Sequence, residues 1–288
     1  MKLSTLKSLS LALVAGTALT AFTPAQAQNS NFAPGDILMA FRATGGQGSD
    51  TLVYVALGSG TSFRDATGNF LNIRNVGSTL SNTYGNSWFN RTDLFFGAVG
   101  AFSNATAGAP VNGDPRRTLY ATNARTEVGT VGSSASTPWS ISSNTVMTAG
   151  ASDILSVSTR FDLDFTTAIA TVSTSSNNNW ATFTSDTLDF RTFNGGVESG
   201  FGANAFGSFG AAGTVEGALD LYRVAPQTNT TISNPNIGTY EGTFTINSAG
   251  DISFVAIPEP SSIVLLTLAA GAVFFAIRRK NQKKTAQV

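Results

Sequence analysis

YEGTFTINSAGDISFVAI, residues Tyr240 to Ile257, decides the fold. Phe244 and Ile246 alternate with Thr243 and Thr245. Asn247-Ser248-Ala249-Gly250-Asp251 then interrupts the run, and Ile252, Phe254 and Ala256 resume it with Ser253 and Val255 between. A period of two puts successive side chains on opposite faces, as a strand with one face in a core requires. A Gly- and Asn-rich break between two such arms predicts an antiparallel hairpin.

The same grammar runs back through the chain. Stretches rich in Val, Ile, Thr, Phe and Tyr, separated by Gly, Asn, Ser and Asp, predict further strands. They cover Asp36 to Ala43, Thr51 to Leu57, Phe70 to Asn75, Thr92 to Phe102 and Arg117 to Thr122. Ile154 to Phe165, Ala168 to Ser173, Asn179 to Thr184 and Leu219 to Val224 follow. In RFDLDF, Phe161, Leu163 and Phe165 face one way and Asp162 and Asp164 the other. Helical signal is thin: Asn75 to Tyr84 and Ser142 to Ala151 each have room for a short helix. Asn194 to Gly213 holds seven glycines in 20 residues, too many for a packed element, and reads as a surface loop whose Phe201, Phe206 and Phe209 either anchor it to the body, the more frequent case, or form an exposed contact patch. No repeat of 20–50 residues is visible. The expected fold is mainly β: an antiparallel β-sandwich or jelly-roll-like body with short helical insertions.

Both ends differ from this body. Lys2 and Lys7 precede an apolar run from Leu9 to Phe22, and Ala25 and Ala27 occupy the −3 and −1 positions of an A-x-A cleavage site. Residues 1–27 therefore read as a signal peptide, residues 28–256 as an exported β-rich domain and residues 257–288 as a separate C-terminal segment. The chain has no net charge, but Lys2, Lys7, Arg278, Arg279, Lys280, Lys283 and Lys284 all lie in the ends. Between Gln28 and Ile257 stand 10 arginines, no lysine and 16 acids. A mildly acidic body lacks the positive face that nucleic acid demands. With no cysteine, its stability must come from the core rather than from disulfides.

The absence of His and Cys excludes a Ser-His-Asp triad, a thiol nucleophile and an ordinary zinc site. Carboxylate chemistry survives as an alternative, since paired acids run glycoside hydrolysis. Its candidates are Asp162 with Asp164, Asp186 with Asp189, and Glu198 with Glu216, none of them among clustered aromatics. Asp162 and Asp164 lack the surrounding pattern of a calcium loop, and two aspartates on a wet strand face are more often solubility devices. No cofactor or metal is expected.

The C-terminal segment is IPEPSSIVLLTLAAGAVFFAIRRK, residues 257–280. Ile263 to Ile277 carry no charge, and with Ser261 and Ser262 the run is long enough for one transmembrane helix, 261–277, flanked by Arg278, Arg279 and Lys280. A basic flank places the C-terminus in the cytoplasm. Pro258 and Pro260 deny helix and sheet to the residues before the membrane and leave Glu259 in an accessible strip. Pro258-Glu259-Pro260, an apolar run and a basic tail at the chain's end resemble the PEP-CTERM sorting signal of exported bacterial proteins. That resemblance implies recognition by an exosortase, a membrane-embedded processing enzyme, and association with extracellular polysaccharide and biofilm. It implies a destination and leaves the body's activity open. A non-enzymatic binding or structural body is expected, with a carbohydrate-active enzyme or a self-associating adhesin as alternatives.

Overall fold

The computed structural model describes residues 32–43, 45–105, 108–125, 147–156, 167–173, 207–208, 217–226 and 238–257. Its clearest unit is the expected hairpin, β9 (Thr239–Ile246) and β10 (Asp251–Ala256). Phe244 faces Phe254 directly across the pair, with ring centroids 4.9 Å apart. The turn is held by the Asn247 side chain, whose Oδ1 accepts the backbone N–H of Ala249 (3.0 Å) and of Asp251 (2.9 Å). This is the local bond that favours Asn at such positions.

The remaining strands are β1 (Asp36–Ala43), β2 (Thr51–Ser59), β3 (Phe70–Asn75), β4 (Leu94–Ala101), β5 (Leu119–Ala124), β6 (Ile169–Ser173), β7 (Gly207–Ser208) and β8 (Ala218–Val224). All pair antiparallel in the order β3-β10-β9-β8-β5-β4-β1-β2-β6, and β7 lies on β4. Helices α1 (Gly60–Arg64) and α2 (Gly77–Tyr84), a 3-10 turn at Trp88–Asn90 and a helical stretch over 147–156 complete the described elements.

The two-sheet sandwich is corrected: the strands form one continuous sheet that curls on itself. Arg74 of β3, the first strand in the order, donates from Nε to the Ala56 carbonyl of β2, near the opposite edge, at 3.3 Å. The concave face gathers Ile37, Met39 and Phe41 of β1, Val53 and Val55 of β2, Phe96, Leu219, Leu221, Phe244 and Phe254. Its two ends are stopped by helices. At one, Phe63 of α1 sets its ring edge-on to Phe244 and Phe254, each at 5.0 Å. At the other, the Tyr84 hydroxyl of α2 lies 2.7 Å from the Phe41 carbonyl and 3.0 Å from that of Thr51. α2 begins where Gly77 meets the hairpin turn, so close that a Cβ there would fall 2.1 Å from the Ala249 carbonyl oxygen.

Much of the convex face is also buried. Leu38, Ala40, Leu52, Tyr54, Ala121 and Tyr222 pack with Met147, Ala151 and Ile154 of the helical stretch. With both faces covered, β1 and β2 read as continuous apolar runs (LMAF, LVYVAL) rather than alternating ones. The helical stretch is described over 147–156, sharing 147–151 with the expected Ser142 to Ala151, and it takes Ile154, Leu155 and Ser156 from the strand expected over Ile154 to Phe165. Residues 142–146 of the expected helix, residues 157–165 of that strand, and the strand expected over Asn179 to Thr184 lie outside the described residues.

The sheet opens where β4 and β5 part. β5 pairs with β4 only over Val99 to Ala101, and Gly207-Ser208 of the glycine-rich run pairs with the earlier Phe95 and Phe96. A two-residue strand paired with β4 thus sits inside the segment expected to be wholly surface loop. At the fork, the Thr122 hydroxyl accepts the Ala98 N–H at 2.8 Å and lies 3.2 Å from its carbonyl, standing in for a missing rung. Beyond it the Arg125 guanidinium, 1% exposed, meets Asp220 at 2.8 Å and the Thr243 hydroxyl at 2.9 Å.

Candidate functional site

Because every pairing is antiparallel, the sheet has two ends, and the chain uses one of them for both its arrival and its departure. β10 finishes at Ala256 at the end where β1 starts at Asp36. There Gly35 is tied into the structure, its N–H donating to Ala101 and its carbonyl accepting from Gly60, each at 2.8 Å. Ile257 follows Ala256 out of the sheet and is 38% exposed. It is the one large apolar side chain left exposed among the described residues.

A polar cluster braces this departure end. Asp114 is buried in the loop between β4 and β5, and its Oδ2 accepts the Tyr120 hydroxyl at 2.5 Å. Its Oδ1 meets Arg64 of α1 at 2.9 Å and Arg223 of β8 at 3.2 Å. Arg223 also donates from Nε to Glu241 of β9 at 2.9 Å, and Arg64 is forked onto Asp65 with two contacts of 2.7 Å. Burial, then the bond to Asp114, pushes the Tyr120 phenol well above its ordinary value. Burial also pushes the Glu241 carboxyl up, against the opposing pull of Arg223. The hydrogen bond from Arg64 holds Asp65 below the usual carboxylate range.

The arrangement is suited to tying elements together. A glycosidase needs one carboxyl to protonate the leaving group and another to reach the sugar or a water. Asp114 is 1% exposed with three donors on it, and Glu241 is 8% exposed under Arg223. These charges link α1, the loop before β5, β8 and β9 into one rigid rim around the point where the chain leaves.

Sequence reasoning missed Asp114 and Glu241 as partners, since 109 residues separate Asp114 from Arg223. A usable signal was the cation choice. A body with 10 arginines and no lysine uses the residue whose planar fork suits buried carboxylate pairs. The acids named from the sequence, Asp162, Asp164, Asp186, Asp189, Glu198 and Glu216, lie outside the described residues, as do Ala25 and Ala27. The same holds for Pro258, Glu259, Pro260, Arg278, Arg279 and Lys280. Among the described residues no helix is long and apolar enough to cross a membrane, and no three acids converge as a metal site would need. The first of these facts says nothing of residues 261–277, which are outside that set.

Comparison with known proteins bears on this end of the chain. No curated protein and no solved structure matches. The family model of the PEP-CTERM protein-sorting motif matches residues 256–280, so its first residue is the last residue of β10. The chain therefore carries a PEP-CTERM protein-sorting motif that starts where its folded sheet stops.

Proposed function

We propose that this is an exported protein whose C-terminal signal is read and processed by an exosortase. Before processing, one helix over 261–277 holds it in the inner membrane with its C-terminus in the cytoplasm. Afterwards the body resides at the cell surface or in the extracellular matrix, in association with exopolysaccharide and biofilm, as a non-enzymatic binding or structural module. The observation that carries this reading is the motif match over residues 256–280, which begins at the last residue of β10, the final described strand. A signal-peptide pattern ahead of the body supports export from the other end. For the body, support comes from the carboxylates at the departure end, which are engaged by arginine rather than open to a substrate.

The test is Glu259→Ala in the native cells, followed by fractionation and by the mass of the protein in each fraction. The reading expects the variant to accumulate in the membrane fraction with its tail attached. A variant of normal size in the normal location would show that the motif is not read.

A further inference from the structure

We propose that the departure end of the sheet, the rim carrying α1, the loop before β5 and Ile257, is the surface that the unprocessed protein lays against the membrane headgroups. The inference rests on the sorting reading and adds an orientation to it. Its first support is length. From Ala256 to Ser261, where the span predicted from the sequence starts, there are five steps of at most ~3.6 Å, a reach of about 18 Å. The headgroup layer takes up roughly 5–7 Å of that. That leaves about 11–13 Å of free tether, less than the radius of gyration of about 17 Å of a body of about 230 residues. To turn the far end of the sheet to the bilayer, the tether would have to run the sheet's height. The nine residues of β2 make that height roughly 30 Å. The tether cannot do so.

Two further observations point the same way. The exposed large apolar side chain of the described chain, Ile257, stands at this end. In the rim's cluster two carboxylates are buried, their arginine partners reach further out, and a third carboxylate, Asp65, is 61% exposed. Asp114 and Glu241 are 1% and 8% exposed, whereas their partners Arg64 and Arg223 are 18% and 27% exposed, with Asp65 the exposed acid among them. An apolar side chain at the same end as two partly exposed arginines, whose apolar stems and charged heads suit an interface, can contact a headgroup surface. One consequence follows for processing: an enzyme acting near Pro258-Glu259-Pro260 works beneath a folded rim, within about 18 Å of it.

The absence of cysteine makes the test clean, because a single introduced thiol carries the only label. Ser62→Cys on α1 marks the rim and Ser248→Cys in the hairpin turn marks the far end; both positions are exposed. The full chain without its signal peptide is inserted into vesicles of phosphatidylcholine and phosphatidylglycerol with a nitroxide on the headgroup. A fluorophore on each thiol is then read for quenching. Quenching several-fold stronger at position 62 is expected. A 20-residue Gly-Ser insert between Ile257 and Pro258 should abolish the difference. Equal quenching in the uninserted chain, with the protein still floating with the vesicles, overturns the orientation and leaves the sorting reading standing. A chain that does not float with the vesicles overturns both.

Discussion

Replacing Asp220 by Ala removes one half of an ion pair whose two members are 0% and 1% exposed. Arg125 would lose its 2.8 Å carboxylate partner inside the body and keep its 2.9 Å bond to the Thr243 hydroxyl. Breaking a buried pair in this way costs about 3–5 kcal/mol, since the desolvated charge no longer has its counterion. For a domain of this size each kcal/mol moves the melting temperature by roughly 2–4 °C, so a fall of roughly 6–20 °C is expected. Thermal melts of the mature protein, followed by near-ultraviolet circular dichroism, read it. The double variant Arg125→Met/Asp220→Leu separates the explanations. It removes both charges and leaves the Thr243 and Tyr240 hydroxyls, 2.6 Å apart, to satisfy each other. It should recover most of the loss, because apolar groups of similar volume replace a buried pair at little cost. A single variant that melts within about 1 kcal/mol of the parent would refute a desolvated pair.

Two other outcomes test the fold. Gly77→Ala drives a Cβ to 2.1 Å from the Ala249 carbonyl and should destabilise by about 1–3 kcal/mol, whereas Gly68→Ala, with nothing within 4 Å, should be neutral; equal effects would contradict the close seat of α2 on the hairpin. The hydrogen bond from Arg91 holds Asp93 below the usual carboxylate range, so its contribution is complete at neutral pH and is lost as pH falls toward the folded value. Asp93→Asn should therefore lower the melting temperature at pH 7, and the gap should close between about pH 5 and pH 2; a gap constant across that range would exclude the ion pair as its source.

What could be read in advance was what is local. The arms of the final hairpin are legible because Phe244, Ile246, Ile252 and Phe254 keep a strict period of two around an Asn-led turn. β1 and β3 match their expected bounds because Gly and Asn turn residues bracket each run. The single curled sheet was not legible, because curl is set by register and by irregularities such as those at Ile37/Leu38 and Leu221/Tyr222. α1, five residues beginning with glycine, has no periodicity to detect; Phe63 and its two aromatic neighbours hold it in place. The rim cluster joins residues from positions 64 to 241, and no spacing rule reaches that far. The sorting motif is the reverse case. It is legible because Pro258-Glu259-Pro260, the apolar run and the basic tail lie side by side in the chain.

The intact mass of the mature protein from the native cells bears on both ends of the molecule at once. The account predicts a chain that begins at Gln28 and ends near Pro258-Glu259-Pro260, lacking the apolar run and the basic tail. A mass that includes residues 261–288 on the surface or matrix form of the protein would contradict it.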